Sequence, residues 1–115
     1  MSNKDKQNLL GILEAIEKID EYISSFKNAD EFFNHTINFD AAMMNFIIIG
    51  EMVERLTDQL KEANNHIDWI KIKGFRNLVA HDYFGIDAEE VWQIATTHLP
   101  QLKTNLKKIL EEPDR

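Results

Sequence analysis

A chain of 115 residues, with 43% hydrophobic and 29% charged residues, four glycines and two prolines, has the balance of a folded helical domain, and residues 1–115 read as one. The chain has no cysteine, which excludes a disulfide framework, a thiolate metal site and a cysteine nucleophile. A net charge of -7 counts against a broad basic surface as the means of holding nucleic acid, so any such site must be local.

Residues 1–7 are polar and charged and show no export signal. The apolar patch at residues 46–49 is far shorter than the roughly 18 residues that span a bilayer. The expected compartment is the cytoplasm, with no membrane partner.

Leu9, Ile12, Ile16, Ile19, Ile23 and Phe26 recur at 3-4-3-4-3 spacing and predict a first helix over roughly residues 4–27, with Gly11 a weak point in it. Asn28, Ala29 and Asp30 break the pattern. Asp30 can cap a short turn anchored by Phe32 and Phe33, before the polar Asn34, His35 and Thr36. Asp40 is a suitable N-cap for a long second helix over residues 41–64, carrying Met43, Phe46, Ile47, Ile49, Gly50, Val53, Leu56 and Leu60. Because its middle is apolar nearly all round, this helix is expected to touch two neighbours, one within the bundle and one in another subunit, with Gly50 permitting close approach.

Asn64 and Asn65 mark a stop, and Asp68 can cap a third helix that begins at Trp69. Asp87, with Glu90 three positions on, resembles a capping box for the last helix, in which Trp92, Ala95, Leu99, Leu102, Leu106 and Ile109 again run at 3-4-3-4-3 spacing. Pro100 lies inside that helix, and an interior proline costs about 3 kcal/mol, so a kink or break is expected near His98. The tail, residues 111–115, is expected to fray. No strand-type alternation or repeat appears. The fold class is therefore all-α, a four-helix bundle with a short extra helical turn.

Chemistry concentrates in residues 71–83. From Lys71 to His81 there are three cations and no acid, in a chain with 20 acids and 13 Lys and Arg. At ~100° per residue, Ile72, Phe75 and Val79 share the core-facing side. Arg76 and His81 are five positions apart, ~140° round an ideal helix, so one helix alone does not focus them on one point. Arginine's length, unwinding near Asp82 and Tyr83, or a two-fold pair of such helices can each close the gap, and the pair is the most economical. Imidazole moves protons near neutral pH and guanidinium binds phosphate in a forked geometry, so the two side chains suit metal-free RNA cleavage with the substrate's 2′-hydroxyl as nucleophile. On spacing alone, surface residues on a basic helix are the commoner reading of such a pair.

Arg76-Asn77-Leu78-Val79-Ala80-His81-Asp82-Tyr83 resembles the R-x-x-x-x-H-x-Y signature of HepT-like toxins in the HEPN superfamily. Ile49-Gly50-Glu51, Trp69, Gly74-Phe75, Tyr83 through Asp87, and Val91-Trp92 also look like that family, so the resemblance covers roughly residues 40–102. It implies a helical bundle that dimerises with its motifs facing one cleft. It further implies metal-independent ribonuclease activity without a cofactor, with Arg76 and His81 as the catalytic pair and Asn77 in support. Such proteins are the toxins of type VII toxin–antitoxin systems. Their usual partner is a minimal nucleotidyltransferase antitoxin, MntA, which silences the toxin by transferring AMP to the motif tyrosine, here Tyr83, and with which the homodimer can assemble further. The competing reading is a non-catalytic helical adaptor that binds nucleotide or RNA for such a partner.

Other side chains have plainer expected roles. Without the resemblance, Tyr83 is a core-edge aromatic with its hydroxyl in water. His35, His66 and His98 lack metal-ligand spacing and read as surface or helix-end residues, so no metal is assigned. Glu51 and Glu54 can approach a basic cleft from the second helix, although glutamates there are usually solvated. Trp69 and Trp92 read as packing residues.

Overall fold

The computed structural model describes residues 1–113 of the chain; Asp114 and Arg115, the end of the tail expected to fray, lie outside the described residues. The described residues form helices, turns and no strand, as an all-α bundle requires. Four long helical runs carry the architecture: α1 (Asn3–Ile23), α3 (Thr36–Arg55), α5 (Trp69–His81), and the nearly continuous α6 (Ala88–Gln93), π-helical segment (Ile94–His98) and α7 (Leu99–Glu111). Between them lie two short helices, α2 (Ala29–Asn34) and α4 (Asp58–Ala63), and a 3-10 turn (Tyr83–Gly85), rather than a single extra turn.

The predicted stripe of α1 becomes core. Leu9, Ile12, Ile16, Ile19 and Ile23 are all buried, and sequestering each such side chain contributes ~1.5–3 kcal/mol. α3 supplies the facing layer, with Phe39, Ala42, Met43, Phe46, Ile49 and Val53 buried. Gly11 faces α3: a Cβ there would meet the flexible end of the Met52 side chain, which would have to shift. α7 completes the core through Leu99, Leu102, Leu106 and Ile109.

Four boundaries differ from the reading above: α1 ends at Ile23, before Phe26, and the other three involve α2 and α3. α2 is capped by Asn28, which accepts the Glu31 N–H at 2.9 Å; Phe32 is its buried aromatic anchor, while Phe33 remains 47% exposed with its ring against Phe39. α3 begins at Thr36, capped by the His35 ring, which leaves Asp40 inside the helix. It ends at Arg55 although Leu56 and Leu60 continue the apolar spacing. There Thr57 starts α4 by accepting the Leu60 N–H, while its own N–H and hydroxyl donate to the buried Asp5 carboxylate at 2.9 and 2.6 Å.

α3 is also long and apolar enough, by length and composition, to cross a membrane, contrary to the expectation that no stretch comes near this. Phe39, Ala42, Met43, Phe46, Ile49 and Val53 of this helix are buried in the core, and a core helix passes the same test. Pro100 is accommodated as foreseen near His98. Leu99 N–H reaches back five residues to the Ile94 carbonyl, and this wider turn places Pro100 in the first turn of α7, where a missing N–H is tolerated.

Candidate functional site

α5 begins where expected, with Asp68 accepting the Lys71 N–H at 3.0 Å and the buried Trp69 donating its indole N–H to the Asn64 carbonyl at 3.2 Å. Val79 is buried, and Ile72 and Phe75 pack half-buried against the core, the latter with its ring edge on Phe46 at 4.9 Å. The unexpected member of the packed face is Arg76, whose side chain is only 10% exposed. It lies over Gly50 of α3, where a Cβ would collide with Arg76 Cβ and Cγ. Gly50 thus gives the arginine stem its place.

The guanidinium is held on three sides. Nη1 donates to Glu51, Nη2 to Glu54 at 3.0 Å, and Nε to the Asn77 side-chain oxygen at 2.8 Å. Lys73 Nζ reaches Glu54 at 3.2 Å. The expected positive patch is therefore corrected: two α3 carboxylates face Arg76 and Lys73, and the formal charges cancel within the cluster. Hydrogen bonds from Arg76 and Lys73 hold the Glu54 carboxyl below the usual carboxylate range, and the Glu54 bond raises the guanidinium pKa, so the arginine stays charged. Of its five N–H groups these contacts use three.

His81 is the last residue of α5, and its imidazole is exposed. Among the described residues it has no hydrogen bond or ion pair, and none joins it to Arg76. The helix geometry therefore separates the pair as expected, Arg76 toward α3 and His81 toward solvent. Tyr83 is half-buried, but its hydroxyl is not left to water as the plainer reading held: it donates to Asp40, and its ring meets Phe39 edge-on at 6.2 Å. Burial and the neighbouring Asp40 push the phenol upward, which keeps it protonated.

Asn77, Glu51 and Glu54 each join Arg76, whereas Tyr83 belongs to a separate contact with α3. Asp40 was missed because its sequence context suggests a helix cap. His35 caps α3, His66 and His98 line a groove of about 310 Å³ beside α5 with Ile72 and Phe75, and that groove contains none of Arg76, Asn77, His81 or Tyr83. Trp92 packs on Phe32 with ring centres 6.1 Å apart. Among the described residues no group of three or more His, Asp or Glu is arranged to hold a metal ion.

Comparison with known proteins places this chain in a family. The model of the family described as "Ribonuclease HepT-like" matches residues 12–109. The chain is 36% identical over 104 residues to a Methanocaldococcus jannaschii protein named as a gamma-glutamylcyclotransferase and "putative RNase"; the match covers 90% of this chain and 46% of that longer relative. A second "putative RNase" of the same organism is 30% identical over 108 residues, covering 93% of this chain and 98% of the relative. The "probable ribonuclease HepT" of Thermococcus cleftensis is 28% identical over 109 residues, covering 95% and 98%. No solved structure matches. With a helical bundle, the ordered Arg76-to-Tyr83 motif and a family match spanning most of its length, the chain belongs to the HepT-like ribonuclease family of the HEPN superfamily.

Proposed function

We propose that this chain is a metal-independent endoribonuclease whose site is a cleft shared by two subunits, with Arg76 and His81 as the catalytic pair. The observation that carries the reading is the division of labour along α5: a charged arginine fixed by Asn77, Glu51 and Glu54, and an unpartnered, exposed histidine at the helix end. The substrate's 2′-hydroxyl attacks the adjacent phosphorus and the 5′-oxygen of the next nucleotide leaves. The imidazole moves the proton, and the unused guanidinium N–H groups stabilise charge on the phosphate. The second copy supplies the focus that one helix lacks. Supporting it, α3 presents Ile37 and Met44 to solvent, 78% and 57% exposed, at a spacing that puts them on one apolar stripe with Ala41 and half-buried Ile48.

The same reading makes the protein the toxin of a cytoplasmic type VII toxin–antitoxin pair, silenced by an MntA-like nucleotidyltransferase. The Tyr83 oxygen attacks the α-phosphorus of ATP, pyrophosphate leaves, and the phenolic proton is lost, giving a tyrosyl–AMP phosphodiester. Tyr83 is partly exposed, as an acceptor has to be. One observation favours the adaptor alternative: the carboxylates of Glu51 and Glu54 already occupy the side of Arg76 that faces α3.

The test is incubation of the purified protein with a defined RNA in EDTA, followed by analysis of the product ends. Cleavage leaving 2′,3′-cyclic phosphate and 5′-hydroxyl ends, blocked by a 2′-deoxy substitution at the cut site, is expected. Cleavage that tracks added Mg²⁺ would overturn the mechanism, and binding without cleavage would establish the adaptor.

A further inference from the structure

The two ends of the motif are both tied to α3. Its C-terminal half holds Arg76 through Gly50, Glu51 and Glu54, and its N-terminal half reaches Tyr83 through Asp40. α3 and α5 therefore run antiparallel, and one rigid helix registers both halves of the motif. His81 lies between these ties with no side-chain partner of its own, so the backbone around it sets its position.

That backbone is lightly held. The last turn of α5 closes with Asp82 N–H on the Leu78 carbonyl at 2.9 Å, and the 3-10 turn follows with Gly85 N–H on Asp82 at 3.0 Å and Ile86 N–H on Tyr83 at 3.3 Å. No residue of Tyr83–Gly85 is fully buried, and Phe84 is fully exposed. Within the turn, Tyr83 ties to α3 by its ring on Phe39 and its hydroxyl on Asp40, and the next residue, Ile86, packs half-buried against the core.

We propose that Asp40 and Tyr83 are a positioning pair: their hydrogen bond clamps the turn after α5 to α3 and thereby fixes His81 for RNA cleavage. Neither touches substrate in this account; they act through His81. The proposal rests on the ribonuclease reading above and extends its regulation. Attaching AMP to the Tyr83 oxygen removes the hydrogen that Asp40 accepts and sets a phosphodiester anion against a carboxylate. Modification then unclamps the histidine, in addition to any competition with RNA for cations. The phenol's upward-shifted pKa keeps that donor in place through the neutral range.

The experiment is steady-state cleavage of a short defined RNA by wild type, Tyr83→Phe, Asp40→Ala, Asp40→Asn and the double variant Asp40→Ala/Tyr83→Phe, with amide hydrogen exchange on the same proteins. Misplacement of a catalytic group by about an ångström costs up to a hundredfold, so Tyr83→Phe and Asp40→Ala are each expected to lower kcat on the order of ten- to a hundredfold with KM little changed. Removing both should cost no more than removing one. Asp40→Asn keeps an acceptor and should recover most of the loss. The Gly85 and Ile86 amides should exchange faster in Tyr83→Phe and Asp40→Ala. Wild-type kcat in the single variants, a loss confined to KM, additive losses, or unchanged exchange would each overturn the clamp. If wild type cuts no RNA, the ribonuclease reading fails, while the exchange data still decide whether the clamp exists.

Discussion

The two halves of the Arg76–His81 motif occupy mechanically opposite surroundings, although they share one helix. At the arginine, the side chain is 10% exposed, its stem fills the space that Gly50 leaves, and every guanidinium nitrogen has a partner. At the histidine, the helix ends, the side chain is exposed, and the following turn has no fully buried residue. The difference teaches that a charge meant to stay in one state can be built into the packing. A group meant to exchange protons has to face solvent and substrate, and its position must come from its backbone.

Substitutions can break this contrast. His81→Ala should have the largest effect on rate, about 10²–10⁴-fold in kcat, with the unfolding midpoint almost unmoved because an exposed side chain is lost. Arg76→Ala should lower cleavage about 10²–10³-fold through both KM and kcat, and it should also destabilise the fold by removing the partner of Glu51 and one of the two partners of Glu54. Paired kinetics and thermal melts of the two variants distinguish the ends; equal stability losses would erase the contrast. Gly50→Ala should act at the arginine end alone, since its methyl meets the Arg76 stem. Overpacking of this kind costs ~1–3 kcal/mol, visible as a lower Tm.

The smallest effect is electrostatic. Glu54 is held below its ordinary pKa, chiefly by its Arg76 hydrogen bond and then by Lys73, so its contribution is present above the unfolded carboxylate value and is lost as pH falls through the lowered folded one. Wild type should therefore be slightly more stable than Glu54→Gln near neutral pH, with the gap closing in acid. Urea melts at a series of pH values measure it, and a gap that widens on acidification would contradict the assignment.

How far the sequence alone carries the account differs between local and distant relations. The stripe from Leu9 to Ile23, the Asp68 start of α5, the Asp87 start of α6 and the disturbance before Pro100 were legible because each depends on neighbours a few residues away. The break of α3 at Leu56 was not, because Thr57 is held by Asp5 from 52 positions away while the apolar period runs on through Leu60. In the site, Arg76, Asn77 and His81 follow from the motif, and the spacing on the second helix lets Glu51 and Glu54 approach it. Their capture of Arg76 depends on Gly50 bringing α3 and α5 into contact, which helix periodicity does not reveal. Asp40 lies 43 positions from Tyr83, and in sequence an aspartate before an apolar run has the signature of a helix cap.

Whether cleavage needs Arg76 and His81 brought together by two subunits is decided by complementation. Arg76→Ala and His81→Ala proteins, each inactive alone, are mixed under conditions that exchange subunits and assayed on a defined RNA in EDTA. The mixed dimer retains one intact arginine and one intact histidine on opposite subunits, so the account predicts partial recovery of cleavage. A mixture that has demonstrably exchanged subunits and remains as inactive as its components would contradict the shared site.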